Sequence, residues 1–206
     1  MYLVEGAGEM TQIYMIRHGQ TDSNVRHTCL GHKDIPLNDT GQQQVRELTE
    51  KLRGQHFDAL YTSPLQRALQ TAEPILQTHP GLTMTMSYAL IERDYGQWDD
   101  LTFDEIKARE PQRFEEWKQN WTGFQLPGGE SAEQVHERIG KALDHILAQH
   151  EGQTVAIVSH LGAIRHMISY LLELAVEDSW HFTADNCGIA IIETGKRNTV
   201  LKALNW

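Results

Sequence analysis

The feature that most constrains this chain is the alternation of short apolar runs with longer segments that begin at helix-capping residues. The clearest apolar run, 154–159 (TVAIVS), has the composition of a buried strand, and a second run lies at 12–16. Strands that alternate with helices are typical of an α/β fold with a largely parallel sheet. We therefore predict a three-layer α/β fold, with a mostly parallel sheet and helices on both faces.

Capping residues indicate where several helices begin. Thr40 with Gln43 and Thr102 with Glu105 have the spacing of a capping box, and Ser131 stands before a third helix. The predicted helices cover 40–52, 64–77, a segment from 102, 131–149 and 162–173, and the predicted strands cover 12–16, 58–62, 83–87, 154–159, 187–193 and 199–204.

The length of 206 residues suits one domain, or one domain with a small cap. Residues 1–10 contain no Lys or Arg, so we expect a flexible N-terminal extension there and not a secretory signal. We expect residues 11–206 to form a single domain in which 96–127 is a helical, cap-like insertion.

The charge balance limits the partners of this chain. Lys and Arg total 18 and Asp and Glu total 28, so the formal net charge is −10. An acidic protein is poorly suited to nucleic acid or an anionic membrane, and an anionic substrate would need a local positive pocket. The apolar stretch near 164–174 is interrupted by Arg165, His166 and Glu173, so no membrane span is predicted.

The cysteines point to a reducing compartment. Cys29 and Cys187 lie far apart and form no CxxC pair. This spacing favours two reduced thiols over a disulfide framework or a zinc site. We expect a cytoplasmic protein.

Two histidines follow predicted strands directly, where ligands bind in parallel α/β sheets. His18 is flanked by Arg17, which offers a planar donor fork for phosphate, and by Gly19, which permits close backbone approach. In a cationic pocket its charged form is disfavoured, which would keep it neutral and nucleophilic. Two histidines could instead bind a metal, but no HxH or HxxxH pattern supplies a third ligand near His160.

Two further charged residues are candidates on weaker grounds. Arg67 lies in the first turn of a predicted helix, where an anion could bind, although a surface arginine is an equal alternative. Glu92 lies between an apolar stretch and a glycine turn. It is either a solvated glutamate or a proton donor for a leaving alcohol.

Six motifs, in order along nearly the whole chain, carry a resemblance to a known family. They are 17–24 (RHGQTDSN), 31–37 (GHKDIPL) followed by Gly41, 63–72 (SPLQRALQTA), 90–98 (LIERDYGQW), 127–131 (PGGES) and 159–162 (SHLG). This set resembles the signature of the histidine phosphatase superfamily, which has the phosphoglycerate-mutase-like fold. One such motif alone would be a weak match, but the ordered set is specific.

The resemblance implies roles at the matching positions. His18 would attack phosphorus and become a phosphohistidine, while Arg17, Asn24, Arg67 and His160 would bind the phosphoryl oxygens. Glu92 would protonate the leaving oxygen and then activate water. No metal and no cofactor are expected, because the arginines and a protonated His160 would supply the positive charge. Substrate-pocket candidates at motif positions are Gln20, Thr21, Tyr95 and Trp98.

The resemblance leaves phosphatase and mutase as alternatives. The mutases carry a longer insertion with paired arginines after the glutamate motif, whereas 96–127 contains only the separated Arg109 and Arg113. That segment is instead rich in aromatic residues, and an apolar lining would favour a larger, less charged leaving group.

We therefore predict a metal-independent phosphatase for small phosphorylated metabolites, a monomer or homodimer. Residues 180–187 are similar to the broad-specificity and α-ribazole-phosphate phosphatase branch, so α-ribazole 5′-phosphate is a candidate substrate. The alternatives are a 2,3-bisphosphoglycerate-dependent phosphoglycerate mutase and, ranked lower, a non-catalytic member that binds a phosphorylated ligand.

Overall fold

The computed structural model describes residues 10–206, so all of the predicted extension except Met10 lies outside the described residues. The strands are β1 (Thr11–Arg17), β2 (Ala59–Thr62), β3 (Met84–Met86), β4 (Thr154–Ser159), β5 (Ile189–Thr194) and β6 (Thr199–Ala203). The helices are α1 (Asp22–Val25), α2 (Asp39–Leu52), α3 (Gln66–Thr78), α4 (Phe103–Arg109), α5 (Pro111–Gln119), α6 (Ala132–Gln149) and α7 (Leu161–Leu171). Short 3₁₀ turns occupy Tyr88–Leu90, Gly96–Trp98 and Val176–His181.

The six strands form one sheet in the order β3-β2-β4-β1-β5-β6. The first four strands in this order are parallel neighbours, and the β1–β5 and β5–β6 pairs are antiparallel. The prediction of a mostly parallel α/β sheet is confirmed.

Helices cover both faces of the sheet because the strand side chains alternate. Ile13 and Met15 point into a core shared with α6 and α7. Tyr14 and Ile16 point into a second core shared with α2 and α3. The structure therefore has the three predicted layers.

Several predicted element boundaries differ from the structure by one or two residues, and two of these differences have a clear physical cause. Helix α2 is capped by Asn38, whose side chain accepts a hydrogen bond from Gly41 N, and not by Thr40. Asparagine is at least as good an N-cap as threonine, and it comes two residues earlier. Strand β5 begins at Ile189 and not at Cys187, because the positive φ of Cys187 (59°) turns the chain before the strand.

Residues 96–127 contain α4 and α5, which pack around a small apolar core of their own. Trp98, Ile106, Phe114 and Leu126 are buried in that core. Backbone hydrogen bonds connect this segment to Cys29. The Cys29 amide donates to Leu101 O, and the Asp100 amide donates to Cys29 O. We call residues 96–127 the cap. Within residues 10–206, no helix combines the length and the apolar character required to cross a bilayer.

Candidate active site

The register of two parallel strands brings the two predicted histidines together. Strand β1 pairs with β4 so that Arg17 faces Ser159, and the next residues are His18 and His160. The His18 amide donates to Ser159 O at 3.0 Å, and the two imidazole rings lie 5.1 Å apart between centroids. Both side chains are buried at the carboxyl edge of the parallel strands, where ligand sites of such sheets form.

One ring nitrogen of His18 is engaged by the backbone. Nδ1 lies 2.7 Å from Gly19 O, and a carbonyl oxygen only accepts, so Nδ1 carries the proton. This tautomer leaves the lone pair on Nε2. Burial, followed by the charges of Arg67 and Arg17, holds the pKa of His18 well below its ordinary value. His18 is therefore a neutral imidazole with a free Nε2.

The environment of His160 differs from the expectation of a protonated side chain. Arg67 Nε donates to His160 Nδ1 at 3.2 Å, so Nδ1 carries the lone pair. His160 Nε2 then donates to Ser63 Oγ at 2.8 Å. Burial and the nearby charge of Arg67 hold the pKa of His160 well below its ordinary value. His160 is therefore neutral in this structure, in contrast to the expectation of a protonated side chain, because the adjacent Arg67 guanidinium carries the same charge that an imidazolium would carry.

Arg67 is fully buried at the start of α3, and the surface alternative is wrong. Besides His160, it donates from Nη1 to Lys33 O at 3.0 Å and from Nη2 to Gly31 O at 2.8 Å. These three contacts use three of its five N–H groups. Burial lowers the pKa of Arg67 to about 10, which still keeps the side chain charged at neutral pH.

Arg17 retains free donor capacity at the end of β1. Its Nη1 donates to Ala184 O at 2.7 Å. Its Nε is buried and has no hydrogen-bond partner among residues 10–206. A buried donor of this kind costs free energy unless a ligand satisfies it. Arg17 is therefore suited to an anion that enters the site.

Glu92 lies at the N-terminus of α7 and is held by backbone donors. Oε1 accepts from Arg93 N at 2.8 Å and from Ala163 N at 3.2 Å, and Oε2 accepts from Gly162 N at 2.9 Å. A Cβ added at Gly162 would overlap the Glu92 carboxylate. Glycine at position 162 thus gives the carboxylate room beside the helix.

Asn24 offers a further donor. Its Oδ1 accepts from Thr21 N at 3.0 Å and from Asn186 Nδ2 at 3.2 Å. Since the oxygen is engaged in this way, the Nδ2 group is left for a ligand. No hydrogen bond from Asn24 Nδ2 occurs within the described residues.

These groups share a cavity of about 210 Å³. Arg17, His18, Asn24 and Glu92 line it. Arg67 and His160 are fully buried and contact each other, and neither lines the cavity. Among residues 10–206, no three His, Cys, Asp or Glu side chains are grouped so that they could hold a metal ion.

Of the four substrate-pocket candidates, only Tyr95 lines this cavity. Thr21 is fully buried as the cap of α1, and the Gln20 side chain accepts a hydrogen bond from Asn38. Trp98 is 1% exposed and donates from Nε1 to Glu110 at 3.1 Å inside the cap. These three side chains serve the local fold around the site in this structure.

Several residues that line the cavity were not singled out from the sequence, among them Arg165 on α7, Trp180 and Phe103. Arg165 follows His160 by five residues, so it begins the second turn of a helix whose N-terminus faces the site. That spacing is the only sequence signal for Arg165, while Trp180 and Phe103 are brought in by tertiary contacts.

Comparison with known proteins adds independent information. A model of the histidine phosphatase superfamily (branch 1) matches residues 13–206. Phosphoserine phosphatase 1 of Hydrogenobacter thermophilus is 30% identical over 95% of this chain and 92% of its own length. A 2,3-bisphosphoglycerate-dependent phosphoglycerate mutase of Bartonella bacilliformis is 34% identical over 81% of this chain and 84% of its own. The crystal structure of the α-ribazole phosphatase from Shigella flexneri superposes with a TM-score of 0.87 at 27% identity, over 95% of this chain and 96% of that one.

Proposed function

This chain belongs to the histidine phosphatase superfamily, and from that premise we propose that it hydrolyses small phosphomonoesters through a phosphohistidine formed on His18. The single observation that carries the proposal is the state of His18. It is a buried, neutral imidazole whose Nδ1 is bonded to Gly19 O and whose Nε2 is free, beside an arginine with an unpartnered donor. Such a nitrogen is available to attack phosphorus without losing a proton first.

In the first step, the Nε2 lone pair of His18 forms the N–P bond and the ester P–O bond breaks. The leaving oxygen takes its proton from Glu92, which shares the cavity. In this proposal the free N–H groups of the Arg17 and Asn24 side chains donate to the phosphoryl oxygens. Their contribution is to stabilise the charge that spreads over these oxygens during transfer.

In the second step, water attacks phosphorus while Glu92 takes up a proton from it. The N–P bond breaks, its electron pair returns to Nε2, and inorganic phosphate leaves. The Nδ1 contact with Gly19 O keeps the ring in one orientation through both steps. Arg67 and His160 lie behind the His18 ring. Arg67 supplies a buried positive charge there, and the neutral His160 accepts a hydrogen bond from it.

The charge needed for this chemistry is supplied by side chains of the chain itself. Three guanidinium groups, those of Arg17, Arg67 and Arg165, belong to or adjoin the site. We therefore propose a reaction that requires neither metal nor cofactor.

Two phosphorylated metabolites are candidate substrates. The named activities of the similar proteins support phosphoserine and α-ribazole 5′-phosphate as candidate substrates. The second candidate function, phosphoglycerate mutase, is favoured by the mutase of Bartonella bacilliformis. An assay with 3-phosphoglycerate in the presence of 2,3-bisphosphoglycerate distinguishes the two, since efficient isomerisation would mean a mutase.

The experiment that tests the proposal compares His18→Ala with His56→Ala for hydrolysis of p-nitrophenyl phosphate. His56 is an exposed histidine whose side chain is 82% accessible, so its variant controls for handling and stability. We expect at least a thousandfold loss of kcat for His18→Ala and no loss for His56→Ala. Near-normal turnover by His18→Ala would overturn the phosphohistidine mechanism.

A further inference from the structure

Arg165 is a cation in the cavity with no ionic partner. Its Nε donates to Phe182 O at 2.7 Å, and its guanidinium lies 4.6 Å from the centre of the Trp180 ring. Within residues 10–206, no Asp or Glu oxygen lies within 4 Å of it. Its terminal nitrogens make no hydrogen bond in that part of the chain and are not buried, so they are open to the cavity.

Arg165 shares the cavity with the residues assigned to the phosphoryl group, but a different part of the chain holds it in place. Arg17, His18 and Asn24 belong to β1 and the segment that follows it. Arg165 is anchored instead to Trp180 and Phe182, at the end of a 3₁₀ turn after α7. These two contacts use the Nε proton and one face of the guanidinium, and they aim the remaining donors at the ligand space.

We propose that Arg165 binds an acidic group on the leaving group of the substrate, so that this enzyme prefers phosphomonoesters that also carry a carboxylate. The inference rests on the proposed function, because it assigns the leaving-group side of the same cavity. An unpaired, half-buried arginine is the side chain best suited to a planar, bidentate carboxylate.

The cap cannot supply this contact. Its arginines lie on exposed helix surfaces, and Arg113 pairs with Glu110 at 2.7 Å. Most of its aromatic side chains pack against one another in its own core, so the expected apolar lining reduces to Phe103. The sequence argument for a less charged leaving group therefore loses its basis. Arg165 on α7 instead favours a leaving group that carries a negative charge.

The test uses two substrates that differ only in a carboxylate, O-phosphoserine and O-phosphoethanolamine. We expect wild-type kcat/KM to be higher for O-phosphoserine. Arg165→Met, which keeps the length of the side chain over Trp180, should lower that preference about 10- to 100-fold, as expected for a lost charge-assisted contact. Arg165→Lys should keep more of the preference than Arg165→Met does, because the charge remains.

Arg46→Met is the matched control, since Arg46 lies on the exposed surface of α2 and, among the described residues, its side chain bonds only Gln43. It should leave both kcat/KM values unchanged. A wild-type enzyme without preference for O-phosphoserine overturns the inference before any variant is made. So does an equal loss on both substrates in Arg165→Met, which would assign Arg165 to the phosphoryl group.

Failure of the proposed function has a different signature. In that case the wild type hydrolyses neither ester nor p-nitrophenyl phosphate. The inference about Arg165 can then still be judged by binding, with the dissociation constants of the two esters measured calorimetrically for wild type and Arg165→Met. Equal affinities for the two esters would overturn it.

Discussion

Arg67 Nε donates to His160 Nδ1 at 3.2 Å, and this contact determines which nitrogen of His160 carries its proton. The same guanidinium holds the carbonyl groups of Gly31 and Lys33. Arg67 thus joins α3, the 31–33 loop and the residue after β4 behind the His18 ring. The Arg67 side chain therefore determines both the charge and the packing behind the His18 ring.

Replacement of Arg67 should therefore affect activity and stability together. For Arg67→Met we expect kcat to fall about 100- to 1,000-fold, because a preorganised positive charge behind the His18 ring is lost. The buried carbonyl of Gly31 and the partly buried carbonyl of Lys33 lose their donor, at a cost of about 1–3 kcal/mol in the free energy of unfolding. Steady-state kinetics and urea denaturation measure the two effects, with Arg46→Met as control. A variant with unchanged kcat would mean that Arg67 is purely structural.

Gly162→Ala should impair catalysis by displacing Glu92. The added Cβ overlaps the carboxylate, which must move or give up its contacts with Gly162 N and Ala163 N. We expect kcat to fall about 10- to 100-fold. Gly54→Ala is the control: no atom lies within 4 Å of its added Cβ, and its φ of 85° makes the substitution costly to stability but remote from the site. Equal kinetic losses in both variants would argue against an effect through Glu92.

Glu92→Gln should let the phosphoenzyme persist. The amide can neither protonate the leaving oxygen nor activate water, so both steps become slower. A substrate with a good leaving group needs no proton in the first step, so with that substrate only the hydrolysis of the phosphoenzyme remains slow. With p-nitrophenyl phosphate we expect a burst of nitrophenol and an acid-labile phosphoenzyme, detected by rapid quench. Asp94, a nearby acidic residue in the same motif, accepts a hydrogen bond from Gly96 N and does not line the cavity. Release of phosphate at the normal rate by Glu92→Gln would mean that another group is the general acid and base.

The stability of the fold should fall on mild acidification because of His166. Burial beside His136 lowers the pKa of His166 to about 3, whereas an unfolded histidine titrates near 6.5. Between these values the unfolded chain binds the extra proton, so stability is lost as the pH falls from about 6.5. From pH 7 to pH 5 this one group accounts for about 2 kcal/mol.

The matching measurement is urea denaturation of His166→Leu at both pH values. Nδ1 of His166 has no hydrogen-bond partner among residues 10–206, so leucine removes the titration without breaking a hydrogen bond at that nitrogen. The drop in unfolding free energy should shrink in His166→Leu and persist in His145→Leu, which changes an exposed histidine on α6. His18 and His160 act in the same direction and account for part of what remains. An unchanged drop in His166→Leu would disprove the assignment.

Removal of metal ions should leave activity intact. The proposed reaction draws its positive charge from guanidinium groups, so dialysis against a chelator is expected to preserve kcat for p-nitrophenyl phosphate. The control is the same enzyme restored with added Mg²⁺ or Zn²⁺. Loss of activity that either ion reverses would require a metal-dependent mechanism.

The sequence by itself determined the fold class and the identity of the principal candidates. Apolar runs and capping residues predict strands and helices from local periodicity, and the ordered motifs mark Arg17, His18, Arg67, Glu92 and His160. Local signals fail where two good caps compete, as with Asn38 and Thr40 at the start of α2. They also cannot separate a core tryptophan from a pocket tryptophan, so Trp98 was assigned to the pocket although it is buried in the cap.

Only the tertiary structure decided the electrostatic state of the site. The protonation of His160 depends on Arg67, which is 93 residues away in sequence, and no local pattern records that contact. Arg165 faces the cavity because the segment that contains Trp180 and Phe182 folds back onto α7. Motifs record which side chains the family requires, whereas tautomers, unpaired donors and cavity walls arise from contacts between distant segments.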